Sequence, residues 1–454
     1  MLPYLDQSSA RSRTNWNPDS WRGRTALHQP EYRDASLLAN VVAGLHAMPP
    51  LVVPGEIDRL TVELAEASQG SRFILHGGEC VERFSDCRET VIANRIRILL
   101  QMSIILTHAA RKPVVRIGRM AGQFFKPRSR DTETIAGVTV PTYKGDAVHG
   151  FDINDRTPDP ARLMTGYFHA AATLNYIRAM IAGGFADLHH PDYWNLRDME
   201  HASRYEEYRG IVERVQDAIH FMESFGGLNR GTISGVDFFT SHEALHLEYE
   251  RALTRSAGDG VWYNLGAHML WIGDRTRDVE GAHLEYIRGL SNPIGIKLGP
   301  DARPEDLKQI CRLVNPQRTP GRVVCITRMG SGRAAERVSR LVHAAQQEET
   351  PVVWCCDPMH GNTVTTTAGH KTRNFDSIVD ELSVTFSAHR EAGSVLAGVH
   401  FEITADPVTE CVGGSIGLAE SDLSRNYQSW CDPRLNYAQS LEIAFLIADH
   451  LRPQ

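Results

Sequence analysis

The feature that most constrains this chain is an alternation of short β-rich runs with helical patterns, which begins at residue 72. The eight runs are 72–79, 113–118, 233–239, 268–273, 293–297, 322–327, 351–356 and 397–403. Strands that alternate with helices pair in parallel. Eight of them match a closed (β/α)8 barrel, in which reactive residues lie at the C-terminal ends of the strands. The sequence therefore predicts an α/β barrel, with a doubly wound open sheet as the alternative.

Composition excludes several classes of protein. The 454 residues are 42% hydrophobic and 23% charged, as in ordinary globular proteins. There is no apolar run of about eighteen residues and no signal-like segment at the N-terminus, so we expect no membrane partner and a cytoplasmic location. The net charge of −7, without a basic tail, argues against a nucleic-acid partner. The eight cysteines are too sparse for a disulfide framework, and we interpret them as thiols or metal ligands.

The chain divides into an extension and a barrel. Residues 1–71 contain little regular periodicity, and we expect them to pack on a catalytic barrel formed by residues 72–454. A helical insertion is predicted at about 190–228, where apolar residues alternate spacings of three and four. These residues are Tyr205, Tyr208, Val212, Val215, Ile219 and Met222. Their stripe is typical of packing against the barrel or another subunit.

Four polar residues form a candidate metal site. Cys80 follows the first run, His360 follows the seventh and Glu402 ends the eighth, and these runs become neighbours only if the barrel closes. Asp432, in the segment WCDPRLN, is the candidate fourth ligand. One thiolate, one imidazole and two carboxylates suit a divalent ion such as Mn, Co, Fe or Zn better than Mg, which prefers oxygen ligands. Taken singly, each residue favours a structural role, and it is their convergence that favours a metal site.

A second set of side chains places positive charge on the same rim. Its members are Arg119, Lys126, Arg128, Arg275, Lys297 and Arg328. Guanidinium and ammonium groups bind phosphate and carboxylate, so this set indicates an anionic substrate, although any one of the six could instead pair with a nearby carboxylate. In the segment KPRS (126–129), Pro127 stiffens a turn that presents Lys126 to one side and Arg128 and Ser129 to a phosphate.

Two further features have structural interpretations. Thr240 and Glu243 fit a T-x-x-E capping box at the start of the helix after the third run. His189 and His190 are interpreted as surface loop residues rather than ligands. The loop 143–150 follows the second strand closely enough to touch a substrate, and its role is left open.

Ten motifs identify a family. They are GGECVERF (77–84), GRMAGQFFKPRS (118–129), YKGD (143–146), SHEAL (241–245), GDRTR (273–277), GIKLGP (295–300), DPMHGNT (357–363), HFEIT (400–404), VTECVGG (408–414) and CDPRLN (431–436). In this order they resemble the type II 3-deoxy-D-arabino-heptulosonate 7-phosphate (DAHP) synthases, which open the shikimate pathway. The resemblance runs from about residue 16 to the C-terminus. It implies a (β/α)8 barrel with an N-terminal extension and extra helices.

The resemblance also implies roles for the candidate residues. The ligands of one divalent metal ion, with manganese the first candidate, would be Cys80, His360, Glu402 and Asp432. The phosphoenolpyruvate site would be formed by Arg119, Asp274, Arg275, Lys297 and Arg328. The erythrose 4-phosphate site would be formed by Lys126, Arg128 and Ser129. We expect a homodimer or homotetramer.

Three positions depart from the family pattern. Asp274 replaces a glutamate, Lys144 replaces an arginine and His149 replaces an asparagine. The Asp274 side chain is one methylene shorter, so a group held by its carboxylate must move by roughly 1–1.5 Å, a displacement that can cost about a hundredfold in rate. Lys144 keeps the charge of arginine but loses its planar fork.

The sequence predicts a transferase that condenses phosphoenolpyruvate with erythrose 4-phosphate to give DAHP and phosphate. Lys126 is the predicted proton donor to the aldehyde oxygen, and Asp274 is the predicted residue that orients the attacking water. Two alternatives stay open. In one, the enzyme uses an altered aldose phosphate, such as an aminated analogue, and Lys144 and His149 are specificity changes. In the other, the chain binds phosphoenolpyruvate without catalysis.

Overall fold

The eight predicted strands form a closed parallel barrel, as a computed structural model of the chain shows. They are β1 (Phe73–Gly78), β2 (Val114–Arg119), β5 (Phe239–Glu243), β8 (Met269–Ile272), β9 (Ile294–Leu298), β10 (Val323–Thr327), β11 (Val352–Cys356) and β14 (Leu396–Glu402). Around the barrel the order is β1, β14, β11, β10, β9, β8, β5, β2, and β2 pairs with β1. The predicted fold is confirmed. The structure describes residues 16–135, 137–183, 185, 204–226 and 237–452, without the side chains of 215, 216 and 218–226.

In the described part of the chain, helices and three small hairpins surround the barrel. The helices are α1 (Ala35–Ala47), α2 (Pro54–Ser68), α3 (Glu89–Ala110), α4 (Ala161–Ala182), α5 (Tyr205–Gly226), α6 (Leu247–Ala252), α7 (Ala282–Arg288), α8 (Pro304–Val314), α9 (Ala334–Gln347), α10 (Phe375–Glu391) and α11 (Tyr437–Leu451). The hairpins pair β3 (Thr132–Ile135) with β4 (Val138–Pro141), β6 (Thr254–Gly258) with β7 (Val261–Asn264), and β12 (Thr363–Thr365) with β13 (Lys371–Arg373). The hairpin β12–β13 lies between β11 and α10, on the side of the barrel where strands end.

The strands were recognisable because they are buried on both faces. Every residue of β9, β10, β11 and β14 is buried, and their sequences are rich in Val, Ile and Cys. A strand covered by side chains inside the barrel and by helices outside reads as a continuous apolar run. These four strands therefore begin and end within one residue of the predicted runs.

The register around Gly78 sets the level of the site. Gly78 pairs with Glu402 on one side and with Arg119 on the other, so both side chains leave the barrel at the same height. Gly78 has φ +145°, and a Cβ there would lie 2.8 Å from the Arg119 carbonyl oxygen. A glycine is needed because this conformation and this close approach exclude a side chain.

The third strand lies further along the chain than predicted. The expected run was 233–239, of which 233–236 lie outside the described residues, whereas the strand spans Phe239–Glu243. Its register pairs Phe239 with Ile117 of β2 and Ser241 with Met269 of β8, and all five side chains are buried. The polar sequence FTSHE gave no apolar signal, so the strand end was misplaced, with consequences for Glu243.

The floor of the barrel is closed by α2. Leu60, Leu64 and Ala67 of this helix share one buried cluster with the interior side chains of the strands, including Ile74 and Val353. The N-terminal part of the chain thus contributes directly to the barrel core. The boundary after residue 71 remains a proposal.

Two helices bear on the remaining expectations. Helix α3 is long and apolar enough to cross a bilayer by length and composition, but 67% of its most apolar window is buried, where it packs on β1, β2 and α11. Helix α5 covers the predicted stripe, and Tyr208 and Val212 are buried. The side chains of Val215, Ile219 and Met222, together with His189 and His190, lie outside the described residues.

Candidate active site

The C-terminal ends of the strands surround a cavity of about 250 Å³. Its walls carry most of the predicted site residues: Lys126, Arg128, Ser129, Asp274, Arg275, Lys297, Arg328, His360 and Asp432. The remaining three, Cys80, Arg119 and Glu402, are buried directly behind this wall. All twelve side chains chosen from the sequence therefore converge on one region, although they come from segments spread over more than three hundred and fifty residues.

The four candidate metal ligands lie together. One donor atom each from Cys80, Glu402 and Asp432 lies within 4.8 Å of the other two, and Cys80 Sγ is 3.3 Å from Asp432 Oδ2. His360 joins them through Glu402, because its Nε2 is 3.0 Å from Glu402 Oε1. The opposite ring nitrogen, Nδ1, lies 2.7 Å from Asp357 Oδ2. Asp357 therefore orients the imidazole so that Nε2 faces the other candidate ligands, a common arrangement behind metal-binding histidines.

Lys126 shows that these donor atoms stabilise a positive charge. Its Nζ lies 2.6 Å from Cys80 Sγ and 2.7 Å from Asp432 Oδ2. Burial alone would lower the pKa of this ammonium, but the coulombic attraction of Asp432 and Cys80 outweighs it, and the pKa is raised well above its usual value. A buried set of one sulfur, one nitrogen and carboxylate oxygens that already attracts a cation fits a divalent ion of the Mn, Co, Fe or Zn type.

Glu402 is fully buried at the end of β14 and is kept ionised by its neighbours. Its Oε2 lies 2.8 Å from Arg373 Nη1, and its Oε1 lies 3.5 Å from Arg119 Nη2. Burial raises the pKa of a carboxyl group, but the attraction of His360 and Arg373 outweighs it and holds the pKa of Glu402 well below its usual value. The carboxylate is thus available as an anionic ligand at neutral pH.

Two of the cationic side chains predicted to bind substrate make cation–π contacts with the same aromatic ring. The Arg119 guanidinium carbon lies 5.4 Å from the ring centroid of Trp271, and Lys297 Nζ lies 4.7 Å from it. The Arg119 Nε and Nη1 atoms find no hydrogen-bond partner among the described residues, whereas Lys297 Nζ is 3.0 Å from Asp357 Oδ2. Burial, reinforced by Arg119, lowers the pKa of Lys297 despite Asp357. These desolvated cations favour binding of an anion.

Arg275 and Arg128 both line the cavity and are held by neighbouring side chains. Arg275 Nη2 donates to Ser129 Oγ at 2.8 Å, which joins the loop after β8 to the KPRS segment. Arg128 lies 3.2 Å from Glu133 and donates to Cys431 Sγ at 3.3 Å. The contact between Ser129 and Arg275 thus joins a residue predicted to bind erythrose 4-phosphate to one predicted to bind phosphoenolpyruvate.

Asp274 is engaged by its neighbours. Its Oδ1 accepts hydrogen bonds from the Gly299 backbone N–H at 2.9 Å and from Arg277 Nε at 2.8 Å. Its Oδ2 lies 3.5 Å from Arg328 Nη1, and Arg328 also donates to the His360 carbonyl oxygen at 3.3 Å. The shorter carboxylate therefore reaches Arg328 and fixes the loops after β8 and β9.

The predicted capping box at Thr240 and Glu243 is wrong. Both residues belong to β5, helix α6 begins at Leu247, and the residue that caps it is His246, whose side chain accepts the Tyr249 N–H. Thr240 Oγ1 instead contacts His268. Because the strand extends to residue 243, Glu243 occupies a strand end and lines the cavity.

Glu243 is a site residue that sequence reasoning missed. Its side chain is buried, and Oε1 has no hydrogen-bond partner in the described part of the chain. Burial raises its pKa, although Lys126 and Lys297 oppose the shift. A buried carboxyl group with an unsatisfied oxygen in a polar cavity is suited to accept or donate a proton. The motif SHEAL pointed to this segment but not to this role.

Lys371, Thr363 and Trp271 also line the cavity and were not predicted. Lys371 lies in the hairpin β12–β13, and its Nζ is 3.3 Å from Asp432 Oδ1. The hairpin strands are only three residues long, so no periodic signal marked them. Trp271 lies inside a predicted strand, where an aromatic residue is ordinarily assigned to the core.

The departures at Lys144 and His149 are joined through the main chain. His149 is buried, its Nε2 accepts the Lys144 backbone N–H at 3.1 Å, and its Nδ1 lies 2.9 Å from the Gly150 carbonyl oxygen. The Lys144 carbonyl oxygen in turn accepts the Lys126 backbone N–H at 2.9 Å. Burial lowers the pKa of His149, which keeps the ring neutral and able to accept this hydrogen bond.

The fold and this cavity together define a (β/α)8-barrel enzyme with a cation-lined pocket beside a set of metal-type ligands. The chain belongs to the class-II DAHP synthetase family, whose family model matches residues 16–448. The resemblance carried by the ten motifs is thereby confirmed.

Known relatives match almost the whole chain. A "Phospho-2-dehydro-3-deoxyheptonate aldolase" of Neurospora crassa is 46% identical over 467 residues, covering 99% of this chain and 97% of the relative. A protein of the same name from Streptomyces coelicolor is 44% identical, with 96% and 97% covered. "Phospho-2-dehydro-3-deoxyheptonate aldolase AroG" of Mycolicibacterium smegmatis is 41% identical, with 96% and 94% covered.

Proposed function

We propose that this chain is a metal-dependent transferase that condenses phosphoenolpyruvate with erythrose 4-phosphate to DAHP and phosphate, as the first step of the shikimate pathway. The observation that carries the proposal is the cluster of Cys80, Glu402 and Asp432, whose donor atoms lie within 4.8 Å of one another beside a cation-lined cavity. The names of the relatives support the same reaction.

One divalent ion would be held by Cys80, His360, Glu402 and Asp432. Manganese is our first candidate, with cobalt, iron and zinc as alternatives that suit the same mixed donor set. When bound, such an ion supplies Lewis acidity to a substrate oxygen.

Phosphoenolpyruvate would bind at the inner part of the cavity. Arg119 and Lys297, both buried against Trp271, would neutralise its carboxylate and phosphate together with Arg328 and Arg275. Guanidinium groups match both anions through paired hydrogen bonds. Asp274 would keep Arg328 in position through the contact described above. These groups contribute by positioning the substrate and by offsetting its charge.

Erythrose 4-phosphate would bind at the outer part. Its phosphate would contact Arg128 and Ser129, as predicted, and we add Lys371, which lies on the same cavity wall. Its aldehyde would then face Lys126, which lines the same cavity. The two phosphates are thus held by different cations, which fixes the relative orientation of the two reacting carbons.

The chemistry requires one new carbon–carbon bond and one water. C3 of phosphoenolpyruvate forms a bond to the aldehyde carbon, and Lys126 supplies a proton to the aldehyde oxygen, which becomes a hydroxyl group. Water adds to C2, the C2–oxygen bond to phosphate breaks, and the C2 keto group forms. Of the two protons of the water, one restores Lys126 and the other leaves with the phosphate. Because Asp274 is occupied by Arg277 and Gly299, we assign the orientation of the water to Glu243, whose Oε1 is unsatisfied in the described residues.

The alternatives open in the sequence find less support. The His149 side chain accepts a main-chain N–H, and the Lys144 ammonium lies 3.7 Å from Asp131 Oδ1, so neither residue favours an aminated aldose phosphate. A binder without catalysis has no supporting observation, since Lys126 and the cation set are all in place. We propose a cytoplasmic homodimer or homotetramer without nucleic-acid or membrane partners.

Product identification tests the proposal. The metal-stripped protein is reloaded with Mn²⁺ and mixed with phosphoenolpyruvate and, separately, with erythrose 4-phosphate, ribose 5-phosphate, arabinose 5-phosphate and the aminated tetrose phosphate. We expect DAHP and phosphate in equal amounts with erythrose 4-phosphate, and a loss of both when the metal is removed. Full activity without metal, or faster reaction with another aldose phosphate, would contradict it.

A further inference from the structure

A chain of buried ion pairs lies beneath the candidate metal site and contains none of its ligands. It consists of Glu410, Arg434, Glu79, Arg95 and Glu82, all of which are at most 8% exposed. None of these residues touches the cavity. Five charged side chains buried together are costly unless their geometry is specific, so the arrangement calls for a role beyond stability.

The first link joins the segments that carry Cys80 and Asp432. Arg434, two residues after Asp432, donates from Nη1 to Glu79 Oε2 at 2.9 Å, and Glu79 immediately precedes Cys80. The other edge of the same guanidinium donates to Glu410, from Nε to Oε2 at 3.0 Å and from Nη2 to Oε1 at 2.6 Å. A two-pronged contact of this kind fixes the orientation of the guanidinium plane as well as its distance.

The second link extends to the segment after β2. Glu79 Oε1 lies 3.3 Å from Arg95 Nη2, and Arg95 Nη1 lies 3.4 Å from Glu82 Oε1. The Glu82 carboxylate accepts the backbone N–H groups of residues 121, 122 and 123 at 3.2, 3.1 and 2.9 Å. These residues follow, after Met120, the strand that ends in Arg119.

The turn that Glu82 holds is strained. Ala121 has φ +64°, in the left-handed region that residues with a Cβ avoid at a cost. Gln123, the last residue of the turn, accepts the Glu243 backbone N–H through its side-chain oxygen at 2.8 Å. The ion-pair chain therefore reaches, through this turn, the segments of Arg119 and Glu243.

We propose that Glu79 and Arg434 are positioning residues, which set the separation of Cys80 and Asp432 and thereby the affinity of the site for a divalent ion. The contact between them is the one side-chain ion pair among the described residues that ties the Cys80 segment directly to the Asp432 segment. This inference rests on the proposed roles of Cys80 and Asp432 as ligands. The geometry of the ligand pair is measurable without catalysis.

The test uses the full-length protein in four variants. Glu79→Gln and Arg434→Met each remove one partner, their double variant removes both, and Arg434→Lys keeps the charge without the fork. Glu63→Gln is the matched control, because Glu63 is a buried carboxylate paired with Arg72 at the opposite end of the barrel. Mn²⁺ affinity is measured on the metal-stripped proteins, and the alkylation rate of Cys80 by iodoacetamide is measured by peptide mass spectrometry.

We expect each single variant to weaken Mn²⁺ binding by about 10- to 100-fold, as is usual for residues that orient ligands, and to speed alkylation of Cys80. The double variant should lose no more Mn²⁺ affinity than the single variant that binds Mn²⁺ less tightly, because both changes break the same contact. Arg434→Lys should recover part of the affinity, and Glu63→Gln should match the wild type. Wild-type affinity in both single variants, or losses that multiply in the double variant, would overturn the inference.

Two further comparisons keep the result decisive. If Arg434→Met does not fold, Arg434→Lys, which preserves the charge, and Glu79→Gln, which preserves size and shape, carry the test. If Cys80→Ser binds Mn²⁺ as tightly as the wild type, the proposed ligand set itself is wrong. If Cys80→Ser loses the metal while Glu79→Gln and Arg434→Lys keep it, only the positioning role is lost.

Discussion

The Lys126 ammonium and the Cys80 thiol are in direct contact, with Nζ 2.6 Å from Sγ. Lys126 follows β2 and Cys80 follows β1, so the contact arises from the pairing of two adjacent strands in the barrel. The predicted proton donor therefore shares the donor atoms of the predicted ligand set. A divalent ion at those atoms would compete with the ammonium, and we expect metal binding to release Lys126 toward the aldehyde.

Replacing Lys126 separates its two effects. Lys126→Met removes the proton donor and the competing cation together, so we expect kcat to fall by about 10²- to 10⁴-fold while Mn²⁺ affinity is unchanged or higher. Steady-state kinetics and Mn²⁺ titration provide the two readouts. Lys112→Met, at an exposed position, is the control. A variant that keeps most of its kcat would remove Lys126 from the mechanism.

Cys80 tests the ligand set. Cys80→Ser exchanges a soft sulfur ligand for a hydroxyl group of similar size, and we expect bound Mn²⁺ after gel filtration to fall sharply, with kcat/KM lower by about a hundredfold or more. Cys87→Ser is a suitable control, since Cys87 is half-buried and its Sγ contacts the His169 carbonyl oxygen and Thr173, away from the cavity. Undiminished metal content in Cys80→Ser would contradict the proposed site.

Glu243 and Asp274 have separable roles. Glu243→Gln removes a proton acceptor and keeps the shape, so kcat should fall by about a hundredfold with little change in the KM for phosphoenolpyruvate. Asp274→Asn weakens the hold on Arg277 and Arg328, so the KM for phosphoenolpyruvate should rise. The opposite pattern, with kcat lost in Asp274→Asn and retained in Glu243→Gln, would return the water-orienting role to Asp274.

The barrel and most of the site could be predicted from the sequence. Apolar runs marked the strands, and the positions just after those runs marked the site residues. Strands such as β10 and β11 are continuous apolar runs, and the residues that follow them, Arg328 and His360, needed only the rule that strand ends converge. Glu243 was missed because β5 has the sequence FTSHE, whose polar side chains are buried by the barrel rather than by their own hydrophobicity. No local pattern could place that strand end.

Two other features depend on contacts that are distant in sequence. Lys371 reaches the cavity on a short hairpin, and only closure of the fold brings it to Asp432, 61 residues away. The ion pair between Glu79 and Arg434 spans 355 residues. In the sequence, Lys371, Glu79 and Arg434 resemble ordinary surface charges, because their contacts form only when the barrel is assembled.

His149 is expected to act on loop geometry. His149→Asn keeps one hydrogen-bond acceptor and one donor on a shorter side chain, and we expect activity and aldose preference to change little. His149→Ala leaves the Lys144 N–H without its partner, which should cost about 1–3 kcal/mol in the free energy of unfolding and raise the KM for erythrose 4-phosphate. Chemical denaturation and the panel of aldose phosphates are the measurements. A change of preferred aldose in His149→Asn would instead make His149 a specificity residue.

Glu381 predicts a pH dependence of stability. This buried residue of α10 accepts the Met329 N–H at 2.7 Å and an Asn362 Nδ2 hydrogen bond at 2.7 Å, and so braces the loops after β10 and β11. Burial raises its pKa from 4.5 to about 7. The folded protein therefore binds a proton that the unfolded chain has released between these values, and the free energy of unfolding should fall as the pH rises from about 4.5 to about 7. Since one unit of pKa corresponds to about 1.4 kcal/mol, the loss should reach up to about 3 kcal/mol.

The variant Glu381→Gln isolates this contribution because its side chain does not titrate. We expect the difference in unfolding free energy between wild type and Glu381→Gln, measured in urea at pH 4.5 to 8, to move in favour of the variant as the pH rises and to level off above about pH 7. The slope is the readout, since the amide can alter the absolute stability through its contact with Asn362. Glu391→Gln, on an exposed position of the same helix, is the matched control. A difference that is flat across this range would show that Glu381 is ionised throughout, and that the two hydrogen bonds it accepts outweigh its burial.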